Sequence, residues 1–157
     1  MSRKKIILLT LLVVFIALQF FQPARNRSDQ ETAADFTKLY AVPDQIQDIL
    51  KSACYDCHSN NTRYPWYAYV QPAGWMLARH IRKGKAELNF SEFVSYSSRM
   101  QAGKLKEIAN QIKHNEMPLS SYKILHKNAR LSDEQKNLLI TWMNNAADSI
   151  SSGNSGN

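Results

Sequence analysis

The sequence predicts an all-α fold, with one small helical domain behind an apolar N-terminal helix. Apolar residues recur at helical spacing in several stretches, and no stretch alternates apolar and polar residues as a strand would. An unbroken apolar run directly follows basic residues at the N-terminus. The 157 residues leave room for one modest domain beyond that run.

The N-terminus has the pattern of an export signal. Basic residues 3–5 precede the apolar run 6–21, which lacks a good cleavage site because Gln22 is a poor partner for Ala24 in a small-x-small motif. We therefore predict that residues 1–24 form an uncleaved signal anchor, a transmembrane helix whose basic end lies in the cytoplasm. Cleavage and release of the domain is the alternative. Both place the domain on the exported side, periplasmic or extracytoplasmic.

Composition divides the remaining chain into three parts. Residues 25–36 are polar and predict a linker, residues 37–150 carry the helical patterns, and the small polar residues 151–157 predict a disordered tail. The formal charge of +7 falls to +4 without the three basic residues of the signal. That excess is too small to indicate nucleic-acid binding, and the chain has neither a glycine-rich phosphate loop nor zinc-finger spacing.

The first helix of the domain is predicted to begin at Pro43 and to lead directly to Cys54. Its apolar side chains lie at helical spacing and are Ile46, Ile49, Leu50 and Ala53. A second helix is predicted from Pro72 to a stop at Gly84. A short third element covers residues 91–96.

A long helix is predicted over residues 99–114, and Pro118 prevents its continuation. Its apolar face comprises Leu105, Ile108, Ala109 and Ile112. A loop of about thirteen residues then leads to Ser132, which forms the pattern of a capping box with Gln135. The final helix is predicted to bury Leu138, Leu139, Trp142 and Met143.

The only two cysteines belong to the pentapeptide Cys54-Tyr55-Asp56-Cys57-His58, which has the C-x-x-C-H pattern of c-type haem attachment. Each thiol would form a thioether with one vinyl group of a single haem, and a two-residue gap at a helix end matches the separation of those groups. His58 would then be an axial iron ligand, with its other ring N–H on a backbone carbonyl. Haem attachment takes place outside the cytoplasm, so the export signal agrees with this prediction.

Other interpretations of the cysteine pair fit the sequence less well. A redox-active dithiol normally sits at the start of a helix after a strand, whereas this pair follows a predicted helix. A zinc site would need two more ligands from the histidines, whose spacing is neither ribbon-like nor finger-like. Those histidines are His58, His80, His114 and His126. A disulfide that closes so short a loop would add little stability.

Met117 is the predicted second axial ligand. It lies 59 residues after His58, and Pro118 stiffens the loop that presents its sulfur. A methionine ligand raises the reduction potential relative to a bis-histidine site. The polar helix end around Met117 makes simple core packing unexpected. His114, one helical turn earlier, is the rival ligand.

The segment that begins at Cys54 reads C-Y-D-C-H-S-N-N-T-R-Y-P-W-Y and resembles the bacterial haem-binding domain family, whose pattern is C-x-x-C-H-S-N-x-T-x-x-P-W-Y. The resemblance continues through residues 88–91, 117–118 and 129–132, and covers about residues 39–145. It implies an exported, cytochrome c-like domain around one covalent haem c per chain. Relatives of this family are sometimes fused to cytochrome c modules or to di-haem peroxidase modules.

Residues of the same segment are candidates for the haem surroundings. Arg63 would pair with a haem propionate, and the polar residues after His58 would fix the turn by bonding their own backbone. Those polar residues are Asn60, Asn61 and Thr62. The aromatic side chains expected to wall the haem are Tyr64, Trp66, Tyr67 and Trp75.

We interpret the chain as a membrane-anchored one-electron carrier with His58 and Met117 on the iron, rather than as an enzyme. Its redox partner is an unidentified protein. Basic residues of the second helix would attract an acidic partner, although a solvated helix face explains the same charges. They are Arg79, Arg82, Lys83 and Lys85. The alternative is a peroxidase-associated or sensor domain with an open or labile distal position, which gains if Met117 does not bind iron.

Overall fold

Helices make up all the regular structure in the computed structural model, which describes residues 2–28 and 34–153. Within these residues there are eight α-helices and no strand. The helices are α1 (Arg3–Leu18), α2 (Phe36–Leu39), α3 (Asp44–Ala53), α4 (Tyr55–His58), α5 (Ala73–Glu87), α6 (Ser98–Lys113), α7 (Ser120–Leu125) and α8 (Asp133–Gly153). Three 3₁₀ turns cover Trp66–Tyr69, Phe90–Ser95 and Lys127–Ala129. The prediction of an all-α fold is confirmed.

One apolar cluster, the Phe36 core, holds most of the domain together. Its buried members are Phe36, Val42, Ile46, Ile49, Leu50, Phe90, Phe93, Ala102, Leu105, Ala109, Ile112, Leu139, Met143 and Ala147. Phe36 has no exposed surface, and its ring centroid lies 4.9 Å from that of Phe93 and 5.7 Å from that of Trp142. The predicted stripes of α3, α6 and α8 supply most of these residues. Leu138 is instead exposed, because the buried face of α8 runs through Leu139 and Met143.

Helix ends follow the local chemistry of the sequence. Ser132 and Gln135 form the predicted capping box, in which the Gln135 N–H donates to Ser132 Oγ at 3.1 Å and the Ser132 N–H donates to Gln135 Oε1 at 2.9 Å. The α6 helix ends before Asn115, which takes a positive φ of 58°. Asparagine tolerates this left-handed conformation better than most residues, so the chain can turn there towards Met117.

Three predicted boundaries differ from the structure. The α5 helix continues through Gly84 to Glu87, so the predicted stop was wrong. The segment after Pro118 is not an irregular loop, since it contains α7 and the 3₁₀ turn Lys127–Ala129. The α8 helix runs to Gly153, into the part predicted to be a tail, and residues 154–157 lie outside the described residues.

The N-terminal helix α1 has no buried residue, and its large apolar side chains are exposed around its whole surface. Among residues 2–28 and 34–153, no helix combines the length and the apolar character that crossing a membrane requires, so the predicted transmembrane helix was not found. Part of the predicted linker, residues 29–33, lies outside the described residues. Residues 25–28, which precede it, hydrogen-bond to the domain.

Candidate haem site

The C-x-x-C-H pentapeptide forms a single helical turn after a break in the chain. The α3 helix ends at Ala53, and Cys54 departs from helical geometry with a φ of −123°. The N–H groups of Cys57 and His58 then both donate to the Cys54 carbonyl, at 3.1 and 3.0 Å. Residues three and four positions apart lie on one side of a helix. Both thiols and the imidazole are therefore presented together.

The two cysteines are free thiols, and each is half-buried. Burial raises the pKa of the Cys54 thiol to about 12 and that of the Cys57 thiol to about 11, and nearby negative charge adds to both increases. A redox-active C-x-x-C pair needs the opposite, a thiol pKa lowered towards neutrality. The local environment therefore disfavours a disulfide exchange centre.

His58 is held by a backbone carbonyl, as predicted. Its Nδ1 atom lies 3.1 Å from the Leu88 carbonyl oxygen, which can only accept a hydrogen bond. Nδ1 therefore carries the proton, and Nε2 keeps a lone pair for a metal. Burial lowers the pKa of His58, while the carbonyls of Leu88 and Gly84 oppose that change. The net direction favours the neutral imidazole that can bind iron.

The α5 helix packs directly against this turn because Gly84 has no side chain. A Cβ atom at position 84 would lie 2.8 Å from the Cys57 carbonyl oxygen and 3.3 Å from His58 Cε1. Around this contact lies the Cys57 region, whose buried residues Ala68, Leu77 and Ile81 pack with Cys57, Tyr64 and Tyr67. The helix continues through glycine here because close packing outweighs its weak helical preference.

The polar residues after His58 fix the exit of the chain. Thr62 Oγ1 donates to the Asp56 carbonyl at 2.6 Å, and Ser59 Oγ accepts from the Asn61 N–H at 3.1 Å. The side chain of Asn60 accepts a hydrogen bond at 2.9 Å from Asn89, across the 3₁₀ turn Phe90–Ser95. Of the three residues predicted to bond local backbone, Thr62 does so through its side chain. The side chains of Asn60 and Asn61 instead bond Asn89 and the Ser28 N–H, 29 and 33 positions away.

Arg63 and Trp66 lie in surroundings different from those the sequence suggested. Arg63 is paired with Asp56, through Nε at 3.3 Å, and it also donates to the Lys51 carbonyl at 2.6 Å. Trp66 is 77% exposed, and it meets the Cys57 region through an edge-to-face contact with Tyr67, with ring centroids 6.0 Å apart. Tyr64 packs in that region, and its hydroxyl oxygen accepts from the Asn26 N–H at 2.6 Å.

Met117 is half-buried at the turn after α6, where its N–H donates to the Gln111 carbonyl at 3.3 Å. Pro118 beside it is buried. His114 is exposed, and its Nδ1 lies 2.9 Å from the Asn110 carbonyl in the same helix. In the described residues no hydrogen bond or ring contact joins Met117 or His114 to the C-x-x-C-H turn, so their role as ligand stays a prediction.

Two residues that sequence reasoning did not select, Tyr122 and His126, connect the later part of the chain to the site. The Tyr122 hydroxyl donates to Asp56 Oδ2 at 2.7 Å, and its ring stacks on that of His126 with centroids 3.8 Å apart. His126 Nε2 in turn lies 3.4 Å from the Tyr67 hydroxyl. The spacing of Tyr122 and His126, one helical turn, was the available signal, but it required recognition of α7.

The donor set of the C-x-x-C-H turn fits a covalent haem. Two protonated thiols at one-turn spacing could form thioethers, and a neutral imidazole with a free Nε2 could bind the iron. The described residues contain no cluster of three or more histidine, cysteine, aspartate or glutamate side chains suited to a bare metal ion.

Comparison with known proteins agrees with this donor set. No curated protein and no solved structure matched the chain significantly. A family model described as a haem-binding domain matches residues 13–145, well over half of the chain, and this span includes all of α4, α5 and the segment from Met117 to His126. The resemblance inferred from the sequence is thereby confirmed, and the chain belongs to the haem-binding domain family.

Proposed function

We propose that this chain is an exported, membrane-attached c-type haem protein that exchanges single electrons with a partner protein. The observation that carries the proposal is the α4 turn, where two free thiols and the Nε2 atom of His58 are presented together beside α5. Membership of the haem-binding domain family supports haem as the group that this arrangement holds.

Covalent attachment would use both cysteines. Each thiol would add across one vinyl group of the haem, with the sulfur bonding one vinyl carbon and the thiol proton going to the other, so the addition would need no external oxidant or reductant. The raised pKa values of the free thiols agree with groups that are not competing as a dithiol redox pair. One haem c per chain follows, because Cys54 and Cys57 are the only cysteines.

His58 would fill one axial position through Nε2, because Nδ1 is committed to the Leu88 carbonyl. Met117 is our proposal for the other, on the basis of its half-buried side chain and its position between the end of α6 and the buried Pro118. Bound haem supplies an iron that alternates between the ferrous and ferric states. With His58 and Met117 both holding the iron, the domain would carry electrons and would leave no iron position for a substrate.

Membrane attachment would depend on α1. Its apolar side chains are exposed on every side, so water is an unfavourable environment for the helix and lipid is a favourable one. Basic residues 3–5 form its first turn, as in segments whose N-terminus stays in the cytoplasm. The haem domain would then lie on the exported side, where thioether formation takes place.

The attachment is tested by co-expressing the full chain with haem-maturation machinery. We expect the denatured chain to keep its haem and to give a pyridine haemochrome spectrum typical of two thioethers. Single Cys54→Ala and Cys57→Ala variants should shift that spectrum towards one thioether, and the double variant should lose covalent haem. Haem that dissociates from the denatured wild type would contradict the proposal.

The distal ligand is tested by Met117→Ala, with Met100→Ala on the exposed side of α6 as the matched control. We expect Met117→Ala alone to lose the sulfur-to-iron absorption band and to lower the reduction potential. If both variants keep the wild-type spectrum, Met117 is not the ligand and His114→Ala becomes the decisive variant. Rapid carbon monoxide binding by the reduced wild type would favour a sensor or peroxidase-associated role over electron transfer.

A further inference from the structure

The chain directly after α1 is bonded to the haem domain. The connecting segment, residues 19–28, meets Gln71, a side chain with no exposed surface. The Gln71 N–H donates to Gln19 Oε1 at 2.8 Å, and Gln71 Nε2 donates to Gln22 Oε1 at 3.0 Å. Trp75 Nε1 donates to the Phe21 carbonyl at 2.7 Å. The end of α1 is therefore fixed against the start of α5.

Further along the connecting segment, the bonds continue towards the haem site. The Arg25 guanidinium lies over the rings of Tyr64 and Tyr69, 4.6 and 4.2 Å from their centroids. Asn26 donates to the Ser59 carbonyl at 2.9 Å and accepts from Lys85 Nζ at 2.7 Å. A helix held this way sets the orientation of the domain beside it, which a slack tether would not do.

An exposed apolar surface surrounds the point where α1 ends. This aromatic patch consists of Phe20, Phe21, Tyr69, Val70, Trp75 and Met76, all exposed to solvent. Contiguous exposed apolar surface marks an interaction site in most proteins. Tryptophan and tyrosine in particular favour the boundary between lipid and water, because their rings are apolar and their polar atoms stay hydrated.

Cations follow the aromatic patch along the outer side of α5. Arg79, Arg82 and Lys83 are all exposed and come one to two turns after Met76. At about 1.5 Å per residue, Lys83 lies on the order of 10 Å along the helix axis from Met76. A strip of apolar side chains bordered by cations is complementary to the acyl boundary and anionic headgroups of a lipid leaflet.

We propose that the haem domain rests on the same bilayer that holds α1, with the aromatic patch at the lipid–water boundary and the cations of α5 against anionic headgroups. The inference rests on the proposed function in one respect, that α1 is inserted in lipid. Its consequence is a fixed orientation: the α5 side faces the membrane, so a redox partner must approach the domain from another side.

The test uses the full, haem-loaded chain in phosphatidylcholine vesicles, prepared with and without phosphatidylglycerol. The lipids of both kinds of vesicle carry a photoactivatable group in the acyl chain. Cross-linked peptides are mapped by mass spectrometry. We expect cross-links in α1 and in residues 66–76, and more of the latter with phosphatidylglycerol. Cross-links confined to α1 would overturn the resting orientation and leave the membrane attachment intact. A chain that does not sediment with vesicles would overturn both.

Variants separate the two parts of the surface. Met76→Asp should reduce cross-linking in residues 66–76 without affecting cross-linking in α1. Met100→Asp is the matched control, because Met100 is similarly exposed, at 50% against 58% for Met76, but lies outside the aromatic patch. It should leave cross-linking unchanged. Phosphatidylglycerol is expected to increase cross-linking in residues 66–76. Reversing the three cations with Arg79→Glu, Arg82→Glu and Lys83→Glu should reduce that increase on the order of tenfold. The same reversal of Lys123, Lys127 and Arg130 is the control. Equal cross-linking in all variants would overturn the proposal.

Discussion

The Phe36 core and the Cys57 region are built in different ways, although they share the α3–α4 junction. In the described residues, the Phe36 core contains fourteen buried apolar side chains, whereas three are buried in the Cys57 region. The Cys57 region is instead held by directed contacts. They include the Thr62 bond to the Asp56 carbonyl, the Tyr122 bond to Asp56 and the close approach at Gly84.

The comparison shows how stability and site geometry are divided in this chain. Apolar burial is non-directional and scales with area, so the Phe36 core contributes most of the free energy of folding. Hydrogen bonds contribute less each, but they fix distance and angle. The imidazole of His58 therefore owes its position to a few specific contacts, and variants in the two places should have distinguishable effects.

The largest effect on stability is expected from Phe36→Ala. The ring is completely buried and contacts three other phenylalanine or tryptophan rings, so its removal should lower the free energy of unfolding by about 3–5 kcal/mol. Phe36 is linked to the C-x-x-C-H turn through Phe90, whose ring centroid lies 5.5 Å from that of Phe36 and 6.5 Å from that of His58. Because the hydrogen bond that holds His58 is not removed, the visible spectrum of the folded, haem-loaded variant should stay close to that of the wild type. Denaturant titration followed by far-ultraviolet circular dichroism measures the free energy of unfolding.

Ile124→Ala is the control for this substitution, because Ile124 is an exposed apolar side chain on α7. It should change the free energy of unfolding by less than about 0.5 kcal/mol. A small loss for Phe36→Ala, or a changed spectrum in its folded form, would remove the distinction between the Phe36 core and the Cys57 region.

Gly84→Ala should have a smaller effect on stability but a direct effect on the site. The new Cβ would be 2.8 Å from the Cys57 carbonyl oxygen, a backbone atom that cannot rotate away, so α5 and α4 must move apart. We expect a loss of about 1–3 kcal/mol. Because the same helix carries the chain to Leu88, the His58 bond should weaken, and the reduction potential and absorption spectrum should shift.

Gly103→Ala provides the matched control, since apart from the neighbouring backbone of α6 no described atom lies within 4 Å of the Cβ it would add. Replacing an unconstrained glycine inside α6 should stabilise the chain by up to about 1 kcal/mol and leave the spectrum unchanged. If both glycine variants behave alike, the close approach of α5 to the site is not what orients His58.

Features that depend on nearby residues were predictable from the sequence. The stripe of α6 repeats every three to four residues, and the Ser132–Gln135 cap spans one turn, so local rules predict both. The C-x-x-C-H turn is equally local. The sequence pattern predicted that the turn follows a helix, and general chemistry predicted that a backbone carbonyl bonds His58. That the carbonyl belongs to Leu88 was not predictable.

Features that depend on distant residues were not predictable. The Asp56–Tyr122 bond joins positions 66 apart, and the Gln19–Gln71 bond joins positions 52 apart. In neither pair does the sequence around one residue identify the other as its partner. Gly84 was misread for the same reason, because glycine usually signals a helix end and only the packing of α5 on Cys57 explains its place within a helix.

The smallest expected effect is that of Tyr122→Phe, which removes one hydrogen bond to Asp56 and keeps the ring on His126. We expect a loss of about 1 kcal/mol at neutral pH. Asp56 would keep its contacts with the Arg63 N–H and Nε, so the loss should be partial. Tyr69→Phe, at an exposed tyrosine whose ring also stays in place, is the matched control and should be neutral.

The pH dependence of the same variant tests the cause. Burial, and next the hydrogen bond to Asp56, raise the pKa of Tyr122. An unfolded tyrosine loses its proton near pH 10, while the folded one keeps it, so the stability from this group is present below about pH 10 and declines as the pH rises further. Tyr122→Phe removes that titration and should make the alkaline decline in stability shallower.

Part of the alkaline decline should persist, because the pKa of Tyr55 is also raised, first by burial and next by Asp35. An unchanged alkaline slope in Tyr122→Phe, together with neutral behaviour at pH 7, would mean that the contact with Asp56 does not tie α7 to the Cys57 region.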